Sequence, residues 1–124
     1  MSVFTGSELR YLTGGRQLGR LATVGADGTP HVVPVGWIYN AARDAIDITG
    51  HELEQSKKFR DVARSGRVAI VIDDLETIDP WRPRTSIARG RGEAIALPTP
   101  LIRIHAERIV SWGLERGRSA RTVS

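Results

Sequence analysis

The sequence contains no cysteine, which excludes a disulfide framework and any thiolate metal centre and agrees with a reducing compartment. Aromatic residues are scarce: three tryptophans, two tyrosines and two phenylalanines are dispersed through 124 residues. They form no obvious base-stacking platform of the kind that small barrels binding single-stranded nucleic acid use. No apolar run approaches the roughly 18 residues needed to cross a bilayer, and MSVFTGSELRYL has no basic region followed by an apolar stretch. A cytoplasmic protein without a membrane partner is expected. No serine stands in a GxSxG elbow, so a hydrolase has little support. His31, His51 and His105 share no spacing that sets two ligands on one helix face, so no metal centre is expected.

What is present describes a folded chain. An apolar fraction of 40%, thirteen glycines and charges of both signs are those of a globular protein, and the length suits one domain. That domain is read as residues 1–114. Residues 115–124 (ERGRSARTVS) are read as a frayed basic tail carrying Arg116, Arg118 and Arg121. The net charge of +4 is otherwise weakly clustered, so no nucleic-acid partner is expected.

The pattern is mainly β. Ser7 to Leu12 reads as a short opening helix with Thr5 or Ser7 as N-cap and Gly14-Gly15 as the stop. Leu18 to Val24 and Pro30 to Tyr39 flank Gly25-Ala26-Asp27-Gly28, a strong hairpin signal, with Pro34 as an irregularity. Ala45 to Thr49 is a third strand, with Asp47 facing away from Ile46 and Ile48. Ser56 to Arg64 has helical spacing and ends before Gly66. Arg67 to Asp73 is a central strand expected to be buried on both faces. Asp79-Pro80-Trp81-Arg82-Pro83-Arg84 is expected to be irregular, followed by a strand from Thr85 to about Leu97 that bends at Gly90 and Gly92. Leu101 to Trp112 alternates as a sixth strand. Six strands and short helices point to a small antiparallel barrel.

One constellation carries chemistry. Ser56-Lys57-Lys58 opens the only internal helix. A helix N-terminus presents unpaired N–H groups and the positive end of a dipole, and a hydroxyl with two ammonium groups there suits a phosphate monoester. The lysines also oppose the dipole, a placement that asks for a compensating anion; the alternative is a solvated charged first turn.

The succession ATVGADGTPHVVPV, DIT, SKKFRDV and RVAIVID resembles the split-barrel flavin-binding proteins of the pyridoxamine 5′-phosphate oxidase class, over about Leu18 to Trp112. PWRPR and RIHAERIVSWGL are similar to the actinobacterial branch that uses the deazaflavin coenzyme F420. The resemblance implies a six-stranded antiparallel split barrel forming a homodimer, with cofactor sites at the subunit interface. It implies that Ser56, Lys57 and Lys58 grip the cofactor phosphate and that Thr49 ends the preceding strand beside it. Val33 to Ile38, and within it Pro34, Val35, Gly36 and Trp37, would lie along the ring. His51 would stand nearby, and Thr85 would reach the site from the other subunit.

Oxidases of the class carry arginine and lysine where this chain has Val33 and Ile38, which favours F420 over FMN and disfavours pyridoxamine phosphate as substrate. The expectation is an F420-dependent oxidoreductase that passes a hydride to a small electron-poor molecule. No residue is singled out as a catalytic acid. The rivals are a non-catalytic FMN-, haem- or F420-binding barrel and, further off, a nucleic-acid-binding barrel.

Overall fold

A computed structural model describes residues 1–15, 18–115 and 117–123. The chain runs α1 (Gly6–Leu12), β1 (Leu18–Val24), β2 (Pro30–Asn40), β3 (Ala45–Thr49), one 3-10 turn (Leu53–Gln55), α2 (Lys57–Ser65), β4 (Arg67–Thr77), β5 (Arg82–Ile95), β6 (Leu101–Trp112) and β7 (Ser119–Thr122). All pairings are antiparallel, in the order β3-β2-β1-β4-β5-β6-β7. A further pairing of β3 with β6 closes the first six strands into a barrel and leaves β7 outside it on β6.

Local chemistry accounts for the elements. Thr5 caps α1 in a reciprocal box, its side chain accepting from the Glu8 N–H while the Glu8 carboxylate accepts from the Thr5 N–H. Gly25 to Gly28 turns β1 into β2 with Gly28 at φ 85°, a conformation that favours glycine. Gly66, at φ 66°, ends α2 as expected and donates to Val62 O. The barrel interior is filled by inward rows such as Leu21, Ile46, Ile48, Ile70, Ile72, Ile102 and Ile104.

Four expectations need correction. The strand from Arg67 is not buried on both faces: Val68, Ile70 and Ile72 are buried while Ala69 and Val71 are half-buried. A barrel wall has one interior side, so even an apolar strand alternates. The Asp79–Arg84 stretch is only partly irregular, because β5 begins at Arg82 and pairs with Leu75 and Thr77 through Pro83 and Arg82. Pairing with β6 starts only at Thr85, so at Pro83 the strand is an edge, where a missing N–H can be tolerated. The same hairpin carries β4 on to Thr77, beyond the expected end at Asp73.

The tail is not frayed throughout. Ser119–Thr122 pairs with Ser111 to Arg108, and Arg121 forms two hydrogen bonds of 2.6 and 3.0 Å to the Glu8 carboxylate. A buried acid on α1 supplies the anchor that composition alone does not show. Arg116 lies outside the described residues.

The expected bend at Gly90 is a register shift between Arg89 and Gly90. A Cβ at Gly90 would stand 2.2 Å from the His105 carbonyl oxygen and 2.8 Å from the Glu107 nitrogen, both backbone atoms. Gly90→Ala is therefore expected to cost at least about 1–3 kcal/mol, read as a lower denaturant midpoint. Unchanged stability would show that the bulge can relax.

Candidate functional site

The candidate site comprises the outer row of β2, the paired end of β3 and, after a short loop from β3, the start of α2, a helix that packs on β1 and β5. On β2, Val35 and Trp37 point into the barrel and are buried. Val32, Pro34, Gly36 and Ile38 form the outward row, with Val32 66% and Ile38 63% exposed. No residue of that row is charged. Leu18 of β1 and Thr49 of β3 stand directly opposite Gly36, and a Cβ at Gly36 would meet nothing within 4 Å. The result is a flat apolar surface with open space over its centre, which suits the face of a planar ring system.

From Thr49 the chain passes through Gly50, His51 and Glu52 to the 3-10 turn and Ser56. Ser56 is the N-cap of α2: its Oγ accepts from the Phe59 N–H at 3.3 Å and donates to Leu53 O at 2.5 Å. The hydroxyl is thus already engaged, and its first role is capping. Lys57 Nζ lies 3.2 Å from the buried Asp61 carboxylate, which Arg64 also bonds at 3.0 Å. Lys57 also lies near the β1–β2 turn, where its charge helps hold the Asp27 carboxyl below its usual range. The larger cause of that shift is hydrogen bonding from Thr29. The anion that the dipole argument asks for is, for Lys57, supplied internally. Lys58 is half-buried and forms no ion pair among the described residues. With the first-turn N–H groups, it is the cation free to meet a phosphate.

The remaining expected site residues divide. Pro34, Gly36 and Thr49 share the outer surface, and Val35 supports it from beneath. Trp37 is 7% exposed inside the barrel, its indole Nε1 buried without a hydrogen-bond partner among the described residues. It packs the core under the surface rather than shielding a ring above it. Its odd position in the strand, shared with Val35, decides this. The His51 side chain is 93% exposed, 3.8 Å from Glu52, and stands in solvent. Thr85 is 3% exposed and donates to Ile72 O at 3.3 Å, so its side chain is not presented to a neighbouring subunit.

Sequence reasoning missed a polar network beside Ile38. Asp47, directly opposite Ile38, receives Arg103 Nε at 2.9 Å, Arg103 Nη2 at 3.1 Å and Asn40 Nδ2 at 2.8 Å. Burial pushes the Asp47 carboxyl up, but these hydrogen bonds and the Arg103 charge more than reverse it, holding it below the usual range. Glu93 stands opposite Arg103 on the other side and bonds His105, which holds its carboxyl low as well. The outward placement of Asp47, Arg103 and His105 in alternating strands was the available signal.

A closed six-stranded antiparallel barrel with one strand outside it and two short helices defines a split-barrel fold. The family model for pyridoxamine 5′-phosphate oxidase matches residues 6–123, and the chain belongs to that family. A relative from Streptomyces rimosus, a 5a,11a-dehydrotetracycline/5a,11a-dehydrooxytetracycline reductase, is 44% identical over 123 residues, covering 90% of this chain and 84% of the relative. The chain is accordingly an oxidoreductase of this family. A haem-binding protein of Mycobacterium smegmatis superposes with a TM-score of 0.73 at 16% identity, covering 94% of this chain and 57% of that one. An F420 reductase superposes with a TM-score of 0.56 at 24% identity, covering 73% and 64%. These two likenesses bear on the fold alone. No helix among the described residues is long and apolar enough to cross a membrane.

Proposed function

We propose that this protein is an F420-dependent reductase that transfers a hydride from the reduced deazaflavin to an electron-poor double bond of a polycyclic small molecule. The 44% identity to the dehydrotetracycline reductase supports the reductase activity and the polycyclic class of substrate. The uncharged outer row of β2 favours a deazaflavin over a tightly held FMN, because Ile38 on that row offers no charge to a second phosphate contact, nor does Val33, which shares the parity of Val35 and Trp37.

The bound coenzyme would supply the hydride; the chain's residues do the rest. Val32, Pro34, Gly36 and Ile38 provide the surface for the ring, with Gly36 leaving room for close approach. Lys58 and the N–H groups at the start of α2 bind the phosphate, while Lys57, tied to Asp61, adds a fixed positive field. Val35 and Trp37 stiffen the strand from inside the core. The reactive proton is left to solvent or substrate, since a Cβ at Gly36 would meet no atom within 4 Å.

A homodimer belongs to the same reading. Leu18, Val32 and Ile38 are large apolar side chains exposed together on one wall, and a second copy would cover them and the ring at once. Light scattering at micromolar concentration should give about twice the chain mass of 13.6 kDa. A monomer mass would contradict the shared site.

A further inference from the structure

The outer wall continues past the apolar surface of β2. Ile38 of β2, Asp47 of β3, Arg103 of β6 and Glu93 of β5 stand opposite one another in turn, one row along from Gly36 and Thr49. His105 follows on β6, directly opposite Arg91 of β5. An uncharged surface thus passes, within a single row, into a strip of charges.

Stability alone is a weak reason for that strip. The side chains of Asp47 and Arg103 are 6% and 14% exposed, and the desolvation of two such charges offsets most of their attraction, so that apolar residues of similar volume often serve as well. What the pair does supply is a fixed guanidinium. Asp47 takes Arg103 Nε and Nη2 and is itself held by Asn40. A guanidinium carries more N–H groups than one carboxylate accepts, and Arg103 Nη1 bonds no partner among the described residues. Glu93, directly opposite, is turned instead to His105 and Arg91. The free edge of a rigid fork therefore stands on the same outer row as exposed Ile38.

We propose that Arg103, held in place by Asp47, is a catalytic residue that hydrogen-bonds the conjugated carbonyl oxygen of the acceptor, an enone set in a fused-ring molecule. The proposal rests on the reductase reading above and deepens it. Arg103 lies two strands across and one row along from Gly36, about 12 Å between backbone positions at ordinary sheet spacings, a span that the arginine side chain and several fused rings cover together. Hydride addition to the β-carbon of the enone moves the π pair of the C=C bond onto the α-carbon and carbonyl oxygen as an enolate, with the reduced deazaflavin as the two-electron donor that is oxidised. Water then protonates the α-carbon. Arg103 transfers no proton; its N–H groups meet the oxygen on which negative charge builds, so the contact is stronger in the transition state than in the bound acceptor.

Fluorescence titration of the full chain with tetracycline, in EDTA and without coenzyme, reads this subsite apart from turnover. Binding should saturate, and Asp47→Asn/Arg103→Met, which removes both charges and leaves neither buried alone, should weaken it roughly ten- to a hundredfold. Arg103→Lys keeps the charge without the fork and should fall between. Both variants should bind F420 as the unaltered chain does. With reduced F420 and saturating 5a,11a-dehydrotetracycline, the double variant should lose roughly a hundredfold or more in kcat. Thermal melts identify a variant that unfolds, and Arg103→Lys, which still pairs with Asp47, carries the test if the double variant does. No saturation by tetracycline, tetracycline binding unchanged in the folded variants, or F420 binding lost to the same extent overturns the proposal. A chain that binds tetracycline through Arg103 and takes no F420 supports the subsite and contradicts the coenzyme of the proposed function.

Discussion

Replacing Lys58 with alanine should weaken binding of F420 roughly ten- to a hundredfold while leaving the barrel intact. A charge-assisted hydrogen bond from an ammonium to a phosphate is among the stronger polar contacts, and among the described residues Lys58 has no anion to compete for it. The loss of fold stability should be slight, because the lysine opposes the helix dipole and makes no ion pair among the described residues. Lys57→Ala should weaken binding less and disturb α2 more, since it strips one cation from the buried Asp61 carboxylate. Fluorescence quenching titrations of both variants, with thermal melts of the unliganded proteins, separate these effects. If Lys57→Ala proves the more damaging to affinity, the internal pairing with Asp61 does not persist when the coenzyme binds.

The second large effect concerns stability. Glu8 is 1% exposed and accepts hydrogen bonds from Arg121, from the Thr5 N–H and, at 2.7 Å, from the Ser111 hydroxyl. Arg121→Ala leaves that carboxylate buried without its cation, a change that costs about 3–5 kcal/mol and on the order of 10–20 °C of melting temperature. Burial pushes the Glu8 carboxyl up, but the hydrogen bonds, led by Arg121, bring it below the ordinary value. Its contribution is therefore fully present above the ordinary glutamate range, about 4.3, and is lost as pH falls through the lower folded value. Acid melts should show a steep loss below that range in the unaltered chain and a shallower one in Arg121→Ala. Truncation after Glu115 should reproduce the variant, because it removes both Arg121 and β7. A truncated chain as stable as the full one would contradict this role.

Much of the architecture was legible because its signals are local. Period-two alternation marks β1, β3 and β6, turn chemistry marks the first hairpin, and Gly66 marks the end of α2. Long-range partners were not legible. Nothing near Arg121 in the sequence reveals Glu8, 113 residues away, so a polar tail reads as frayed although it forms an edge strand. Parity decided the site. The sequence places Pro34, Val35, Gly36 and Trp37 on one strand, but only the fold shows which face looks inward and that Trp37 belongs to the core. Thr85 was misread for the same reason, since burial and its bond to Ile72 O depend on a neighbouring strand. Ser56-Lys57-Lys58 was located correctly at the start of α2. The division of labour within it, with capping by Ser56 and pairing of Lys57 to Asp61, required side-chain geometry.

Reduced F420 mixed with the purified protein and 5a,11a-dehydrotetracycline, followed by the absorbance of the oxidised deazaflavin, tests cofactor and reaction together. The account predicts reoxidation that needs both protein and acceptor, is lost or severely slowed in the Lys58→Ala variant at limiting coenzyme, and is not supported by reduced FMN at the same concentration. Protein that purifies with stoichiometric FMN and leaves reduced F420 unchanged would contradict it.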